Sequence, residues 1–199
     1  MSETASQLPP PATLAIAYVP QKFRAAFALL LQIDARLEDI VHNAREPMIA
    51  QIKIAWWREA FSNEPPLRPK GEPLLQALND TNNVIPLAAL EALVSAWESL
   101  LGIDVWNQAI VDQHIAFRAE AIFETYAAWL GSPHSMADLG RAWALDALGA
   151  AFPGRVSTEF TVPKPPVPKA RALRPLSILA MSVRTDSGPR IVWHALTGL

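Results

Sequence analysis

The segment Glu46–Ser62 constrains the fold of this 199-residue chain most strongly, because apolar side chains surround nearly the whole of the helix that it predicts. Pro47 suits the first position of a helix, since it has a fixed φ and no amide hydrogen to leave unpaired. Glu46 suits the positive end of the helix dipole. At about 100° per residue, the only polar side is a narrow strip. This strip contains Gln51, Ala55, Arg58 and Ser62. A helix of this kind belongs in the interior of a helical protein.

Trp56 continues the apolar row that Met48, Ile49 and Ile52 form on this helix. We therefore expect Trp56 to be largely buried. The chain has seven tryptophans, which is unusual at this length. Two interpretations are open for them: packing in the core, or lining a lipid-accommodating cavity or a protein-docking surface.

Helical apolar spacing recurs along most of the remaining chain, whereas the alternation typical of strands is scarce. Proline, glycine and capping residues mark the ends of the predicted helices. These helices are Thr13–Tyr18, Gln21–Arg45, Glu46–Ser62, Leu74–Leu78, Pro86–Leu101, Asp104–Leu130, Ser135–Ala151, Pro175–Arg184 and Gly188–Leu196. The sequence predicts a single all-α domain over residues 13–199, preceded by a disordered lead-in over residues 1–12.

Residues 161–174 interrupt the helical pattern with four prolines among four basic residues. Proline lacks a backbone donor and breaks helices, so this segment is neither a regular helix nor a central strand. We expect an irregular, mobile loop. It is either a solvated linker or a docking site for an acidic partner.

The charge and the length of the apolar runs exclude two classes of protein. With 17 basic and 19 acidic residues the net charge is −2, which gives no electrostatic basis for binding nucleic acid. No apolar run approaches the roughly 20 residues that a bilayer crossing needs. The polar, proline-rich start does not resemble a signal peptide. These features predict a cytoplasmic protein without a transmembrane segment, with peripheral association at the inner membrane as an open alternative.

Neither cysteine nor histidine forms a recognisable metal or catalytic motif. The chain has no cysteine, which excludes disulfides and thiolate sites. His114, His134 and His194 are dispersed and lack partners at metal-ligand spacing. We expect each of them to be an ordinary surface or helix-face residue.

Several short motifs carry a resemblance to a known family. The most specific is Glu46-Pro47 followed by an apolar run and Trp56-Trp57-Arg58-Glu59-Ala60. The weaker ones are Leu14–Tyr18 with Arg24, Leu139–Leu145, Arg174-Pro175-Leu176 with Leu179-Ala180, and Leu196-Thr197-Gly198. Together they resemble the squalene/phytoene synthase family, in particular its short bacterial members and the related mitochondrial complex I assembly factor.

The resemblance implies an isoprenoid synthase-like helical bundle around a central cavity, truncated relative to the catalytic members. Those members condense two prenyl diphosphates, and two aspartate-rich motifs on facing helices hold the Mg²⁺ ions that assist diphosphate departure. The first motif corresponds here to Glu38, Asp39 and His42, and the second to Ala151 and Arg155. Since Mg²⁺ requires clustered carboxylate oxygens, this residue set predicts no magnesium clamp and no catalytic residues. Glu38, Asp39 and His42 then form either a remnant binding site or an ordinary solvated face.

The function therefore stays open between two classes. The first is a catalytically degenerate relative, a pseudoenzyme without cofactor. It would bind a protein partner, as in assembly of respiratory complex I, or an isoprenoid lipid. The second is an active, Mg²⁺-dependent transferase acting on prenyl diphosphates in isoprenoid biosynthesis. The degraded carboxylate motifs favour the first class.

Overall fold

The computed structural model describes residues 8–81, 84–103, 105–157, 159–163 and 165–182, and this part of the chain is all-α. Its helices are α1 (Pro10–Ala17), α2 (Gln21–His42), α3 (Pro47–Ser62), α4 (Pro73–Asp80), α5 (Leu87–Glu98), α6 (Gln108–Ala119), α7 (Thr125–Trp129), α8 (Ala137–Ala151) and α9 (Arg174–Ser182). Single 3₁₀ turns occur at Pro65–Leu67 and Arg171–Leu173. The predicted all-α class is confirmed. The helix predicted at Gly188–Leu196 lies outside the described residues.

The first helix begins earlier than the sequence pattern indicates. The lead-in was expected to extend through residue 12, but α1 starts at Pro10 and buries Ala12 and Ala15. Pro10 and Pro11 occupy the first helical positions, where a missing amide hydrogen costs nothing. The helix packs against α9 and α2. Residues 1–7 of the predicted lead-in lie outside the described part.

Helix α2 provides one long wall of the core. It buries Phe27, Leu30, Ile33 and Leu37 on one face. It ends at His42, three residues before the predicted boundary at Arg45, because the Asn43 side chain donates a hydrogen bond to the carbonyl oxygen of Asp39 at 3.0 Å and closes the last turn.

Helix α3 is not buried on all sides, so the prediction made for it and for Trp56 is wrong. Only one face packs inward, mainly against α5 and α2, and it contains Ala50, Ile54, Trp57, Ala60 and Phe61. The opposite face is exposed: 71% for Met48, 63% for Ile52 and 38% for Trp56. These side chains are exposed because α3 lies at the edge of the bundle, where only one of its faces contacts the hydrophobic core.

Helices α6 and α7 form one continuous run, joined by the π-helical segment Glu120–Glu124. The predicted start at Asp104 is wrong, because the helix begins at Gln108, where Asn107 caps it by accepting the Ile110 amide at 3.1 Å. Gly140 lets α8 approach this run closely: a Cβ at Gly140 would lie 2.8 Å from the Cβ of Ala119.

The proline-rich segment is irregular, as predicted, and it is also attached to the bundle. Val162 and Val167 are half-buried against the core. The Tyr126 hydroxyl donates to the carbonyl oxygen of Ala172 at 2.9 Å, and the Ser177 hydroxyl donates to that of Pro168 at 2.9 Å. These contacts favour a packed surface loop over a free linker, while the expected mobility stays a prediction.

Bilayer crossing needs a helix that is both long and strongly apolar, and none in the described ranges has that combination.

Candidate functional site

A cavity of about 370 Å³ lies between α1, α2, α6, α8 and α9. Its walls are largely apolar and include Leu31, Ala147, Ala150, Ala151 and Leu179. The polar side chains at the cavity include Asp34 and Glu38 from α2 and Arg118 from α6.

Asp34 and Arg118 form a buried ion pair at the cavity. The Nε of Arg118 lies 3.0 Å from Oδ1 and 3.1 Å from Oδ2 of Asp34, and its Nη2 lies 2.8 Å from Oδ2. The indole Nε1 of Trp97 donates to the same Oδ1 at 2.8 Å. The Asp34 carboxylate is therefore held by two side chains, and both of its oxygens are engaged.

Aromatic rings hold the Arg118 guanidinium in place. Its central carbon lies 4.8 Å from the ring centre of Trp97 and 4.5 Å from that of Trp143. Burial alone would lower the pKa of Arg118, but the carboxylates of Asp34 and Glu38 outweigh it and raise this pKa. Because Arg118 is charged and buried, removing it would leave Asp34 uncompensated, which typically costs about 3–5 kcal/mol.

Glu38 reaches the same guanidinium from the next turn of α2. Its Oε2 lies 3.3 Å from the Nη2 of Arg118. Burial raises the pKa of Glu38 above its usual range, and the nearby carboxylates of Asp34 and Asp39 act in the same direction, against the opposing effect of Arg118. Glu38 is thus a partly buried partner of Arg118.

His114 is buried one turn before Arg118, contrary to the expectation of an ordinary surface or helix-face histidine. Its Nδ1 donates to the carbonyl oxygen of Ala96 at 2.8 Å, which leaves Nε2 as an acceptor. Burial, with a contribution from Arg118, lowers the pKa of His114 to about 3, so the ring is neutral. Within the described residues, neither the Nε2 of His114 nor the Nη1 of Arg118 has a hydrogen-bond partner.

Of the three residues of the first acidic motif, only Glu38 lines the cavity. Asp39 is exposed and lines a different groove, beside α3. His42 is exposed, and its ring centre lies 5.2 Å from that of Phe152. Consecutive helical residues point about 100° apart, so Glu38 and Asp39 cannot both face the cavity.

The positions of the second acidic motif carry no carboxylate at the cavity. Ala151 lines the cavity at the end of α8. Arg155 lies beyond that helix, where its Nη2 donates to the carbonyl oxygen of Ile103 at 3.0 Å and its guanidinium lies 4.4 Å from the ring centre of Trp106. Arg155 therefore has a structural role outside the cavity.

These residues do not fit a magnesium clamp. Both oxygens of Asp34 are engaged by Arg118 and Trp97, Glu38 is paired with Arg118, and Ala151 has no oxygen ligand. In the described part of the chain, no group of three or more histidine, aspartate or glutamate side chains is arranged to hold a metal ion.

Sequence reasoning missed Arg118, the residue at the centre of the site. A signal was present, because Arg118 interrupts the buried row of Val111, His114, Ile115 and Ile122 at helical spacing. A charged residue in the middle of an apolar helix face requires a buried partner of opposite charge. The sequence alone did not show that Asp34, separated by 84 residues, is that partner.

A comparison with protein families shows the family to which the chain belongs. Residues 11–112, more than half of the 199 residues, match the squalene/phytoene synthase family. No curated protein and no solved structure matches, and the specific likeness to the complex I assembly factor stays a prediction. The matched range contains nearly all of α1 and the whole of α2 to α5, with Asp34, Glu38 and Trp56-Trp57, and the all-α fold agrees with the helical bundle implied by the sequence motifs. The chain therefore belongs to the squalene/phytoene synthase family.

Proposed function

We propose that this protein is a non-catalytic member of its family, and that its cavity binds the hydrocarbon chain of an isoprenoid lipid. The observation that carries the proposal is the composition of the cavity. An alanine lines it where a metal-binding aspartate of the second motif is expected, and both carboxylates present are paired with Arg118.

Loss of the carboxylates removes the electrostatic basis of the family reaction. A departing diphosphate carries a large negative charge, and its stabilisation requires metal ions held by several carboxylate oxygens. Such stabilisation is usually the largest single contribution to catalysis. Freeing Asp34 for a metal ion would break its bonds to Arg118 and Trp97 and leave the buried Arg118 with only its longer contact to Glu38.

The remaining cavity suits an apolar guest. Ligand sites are typically clefts of about 300–1,000 Å³ with apolar walls and a few polar groups. This cavity has a volume of about 370 Å³ and an apolar wall of alanine and leucine side chains. Arg118 adds one positive group to the cavity wall, which suits a polar lipid head group.

The first test addresses chemistry. Purified protein is incubated with magnesium and farnesyl or geranylgeranyl diphosphate, and pyrophosphate release and head-to-head products are measured. We expect neither. Turnover that Glu38→Gln combined with Asp39→Asn abolishes would overturn the proposal and establish the transferase alternative, with Mg²⁺ as its cofactor.

The second test addresses binding. Calorimetric titration with farnesol measures affinity for the wild type and for Ala147→Phe, in which a ring fills the cavity. We expect at least a tenfold weaker affinity, or about 1.4 kcal/mol. The matched control is Ala88→Phe, on the exposed side of α5, which should bind as the wild type does. Absence of binding to the wild type would contradict the lipid-binding role.

Partner binding or an assembly role, including one for respiratory complex I, stays a prediction. The feature that bears on protein docking is the exposed apolar face of α3, which is separate from the cavity.

A further inference from the structure

Helix α3 presents an apolar row on the outside of the bundle that none of the described residues covers. Met48, Ile49, Ile52 and Trp56 form this row, which we name the α3 stripe. At about 100° per residue, all four side chains point within about 50° of a common direction, with Ile52 in the middle. Single exposed apolar residues are common on protein surfaces, but a contiguous exposed apolar patch often marks an interaction site.

The charges at the two ends of the α3 stripe are complementary to each other. Arg45 precedes the helix and Glu59 lies in its last turn, each seven residues from Ile52. Glu59 points in nearly the same direction as Ile52, since seven residues make almost two helical turns. Both side chains are exposed, and neither forms an ion pair within the described residues.

We propose that the α3 stripe is the interface of a homodimer in which two copies of α3 pack antiparallel about a two-fold axis at Ile52. In this arrangement Met48 of one copy lies against Trp56 of the other, and Arg45 lies against Glu59. Each pairing occurs twice, as a two-fold interface requires. Glu59 also approaches the N-terminus of the opposite helix, where the helix dipole favours a negative charge.

The charges around the α3 stripe favour a second copy of this chain, rather than a membrane surface, as the partner that binds it. The groove beside it has a volume of about 760 Å³, and its charged lining residues are balanced. They are the basic Arg36, Arg45 and Lys53 and the acidic Asp39, Glu46 and Glu72. An anionic lipid surface attracts a basic excess, and none exists here. The C-terminal end of α2 forms the other wall of the groove and widens the contact beyond a single helix, as a stable dimer needs.

The proposal is independent of lipid binding, and the oligomeric state tests it. Sedimentation equilibrium over a concentration series should give a dimer for the wild type. Ile52→Glu places two carboxylates together at the axis and should weaken dimerisation at least tenfold. Its helix content by circular dichroism should be unchanged, because Ile52 is exposed. Val105→Glu is the matched control, since Val105 is 76% exposed and lies outside α3. It should dimerise as the wild type does.

A charge exchange tests the antiparallel register. Arg45→Glu alone and Glu59→Arg alone each place like charges in contact and should weaken the dimer. The two substitutions together restore opposite charges and should restore most of the affinity. A wild type that stays monomeric over the series would overturn the proposal, and so would an Ile52→Glu variant that dimerises normally. Failure of the double variant to recover would overturn the antiparallel pairing.

Discussion

At the scale of single residues, the centre of the site is a set of side chains that only the fold brings together. Glu38 could be predicted from its motif, because the acidic pattern is local. Arg118 could not, since its importance comes from Asp34 on another helix and from the rings of Trp97 and Trp143. The burial of a charged side chain can be explained only when its partner is known. Sequence spacing does not identify a partner that lies 84 residues away.

His114 makes the stability of this protein depend on pH. Its pKa in the folded state is about 3, whereas that of an unfolded histidine is about 6.5. The unfolded chain therefore binds a proton that the folded chain does not, and the free energy of unfolding decreases as pH falls from about 6.5 towards 3. We expect His114 to contribute up to about 1.4 kcal/mol per pH unit in this range.

Urea denaturation between pH 7 and pH 5 measures this contribution. His114→Phe keeps an aromatic ring against Trp97 but cannot be protonated, so its free energy of unfolding should change less with pH than that of the wild type. His134→Phe removes an exposed histidine and should keep the wild-type slope. Identical slopes for His114→Phe and the wild type would show that His114 is accessible to protons in the folded state.

At the scale of secondary-structure elements, helix positions could be predicted, but the buried faces of some helices could not. Capping and breaking residues are local, so most helix ends agree within a few residues. Helix α3 has large apolar side chains both on the face that packs on α5 and on the one that faces outward, so its sequence does not distinguish the two. The opposite environments of Trp56 and Trp57 follow from the position of α3 at the edge of the bundle.

The adjacent tryptophans provide a matched pair for testing this assignment. Trp57 is 2% exposed and packs against Phe61, with ring centres 5.3 Å apart. Trp57→Ala should lower the free energy of unfolding by about 3–5 kcal/mol. Trp56→Ala removes a side chain that is 38% exposed and should cost clearly less. Both are measured by urea denaturation in the Ile52→Glu background, so that dimerisation does not contribute. If both substitutions lowered the free energy of unfolding equally, Trp56 would belong to the core, contrary to this assignment.

At the scale of the whole molecule, the proposed lipid site depends on a cavity between α2 and α8 whose lining differs from the one that the resemblance implies. In the catalytic arrangement implied by the resemblance, carboxylates on the two helices share metal ions across the cavity. Here α2 contributes Asp34 and Glu38 to an ion network with Arg118, and α8 contributes Ala147, Ala150 and Ala151. Arg118 compensates one of the two carboxylate charges, and burial favours the neutral, protonated form of Glu38. The two carboxyl groups of the network therefore do not need a metal ion to be stable.

This compensation within the protein predicts that lipid binding is independent of magnesium. A ligand that binds only the folded state stabilises it by about 2.7 kcal/mol at a concentration 100 times its Kd. For a chain of this size that corresponds to a rise of about 5–10 °C in Tm. Farnesol should give the same rise with magnesium and with a chelator, because its chain contacts apolar walls and its hydroxyl needs no metal. Ala147→Phe should lose the rise, and Ala88→Phe should keep it.

A catalytic member would instead use magnesium to hold a diphosphate. Stabilisation by farnesyl diphosphate that requires magnesium and disappears in Glu38→Gln would therefore contradict the non-catalytic role.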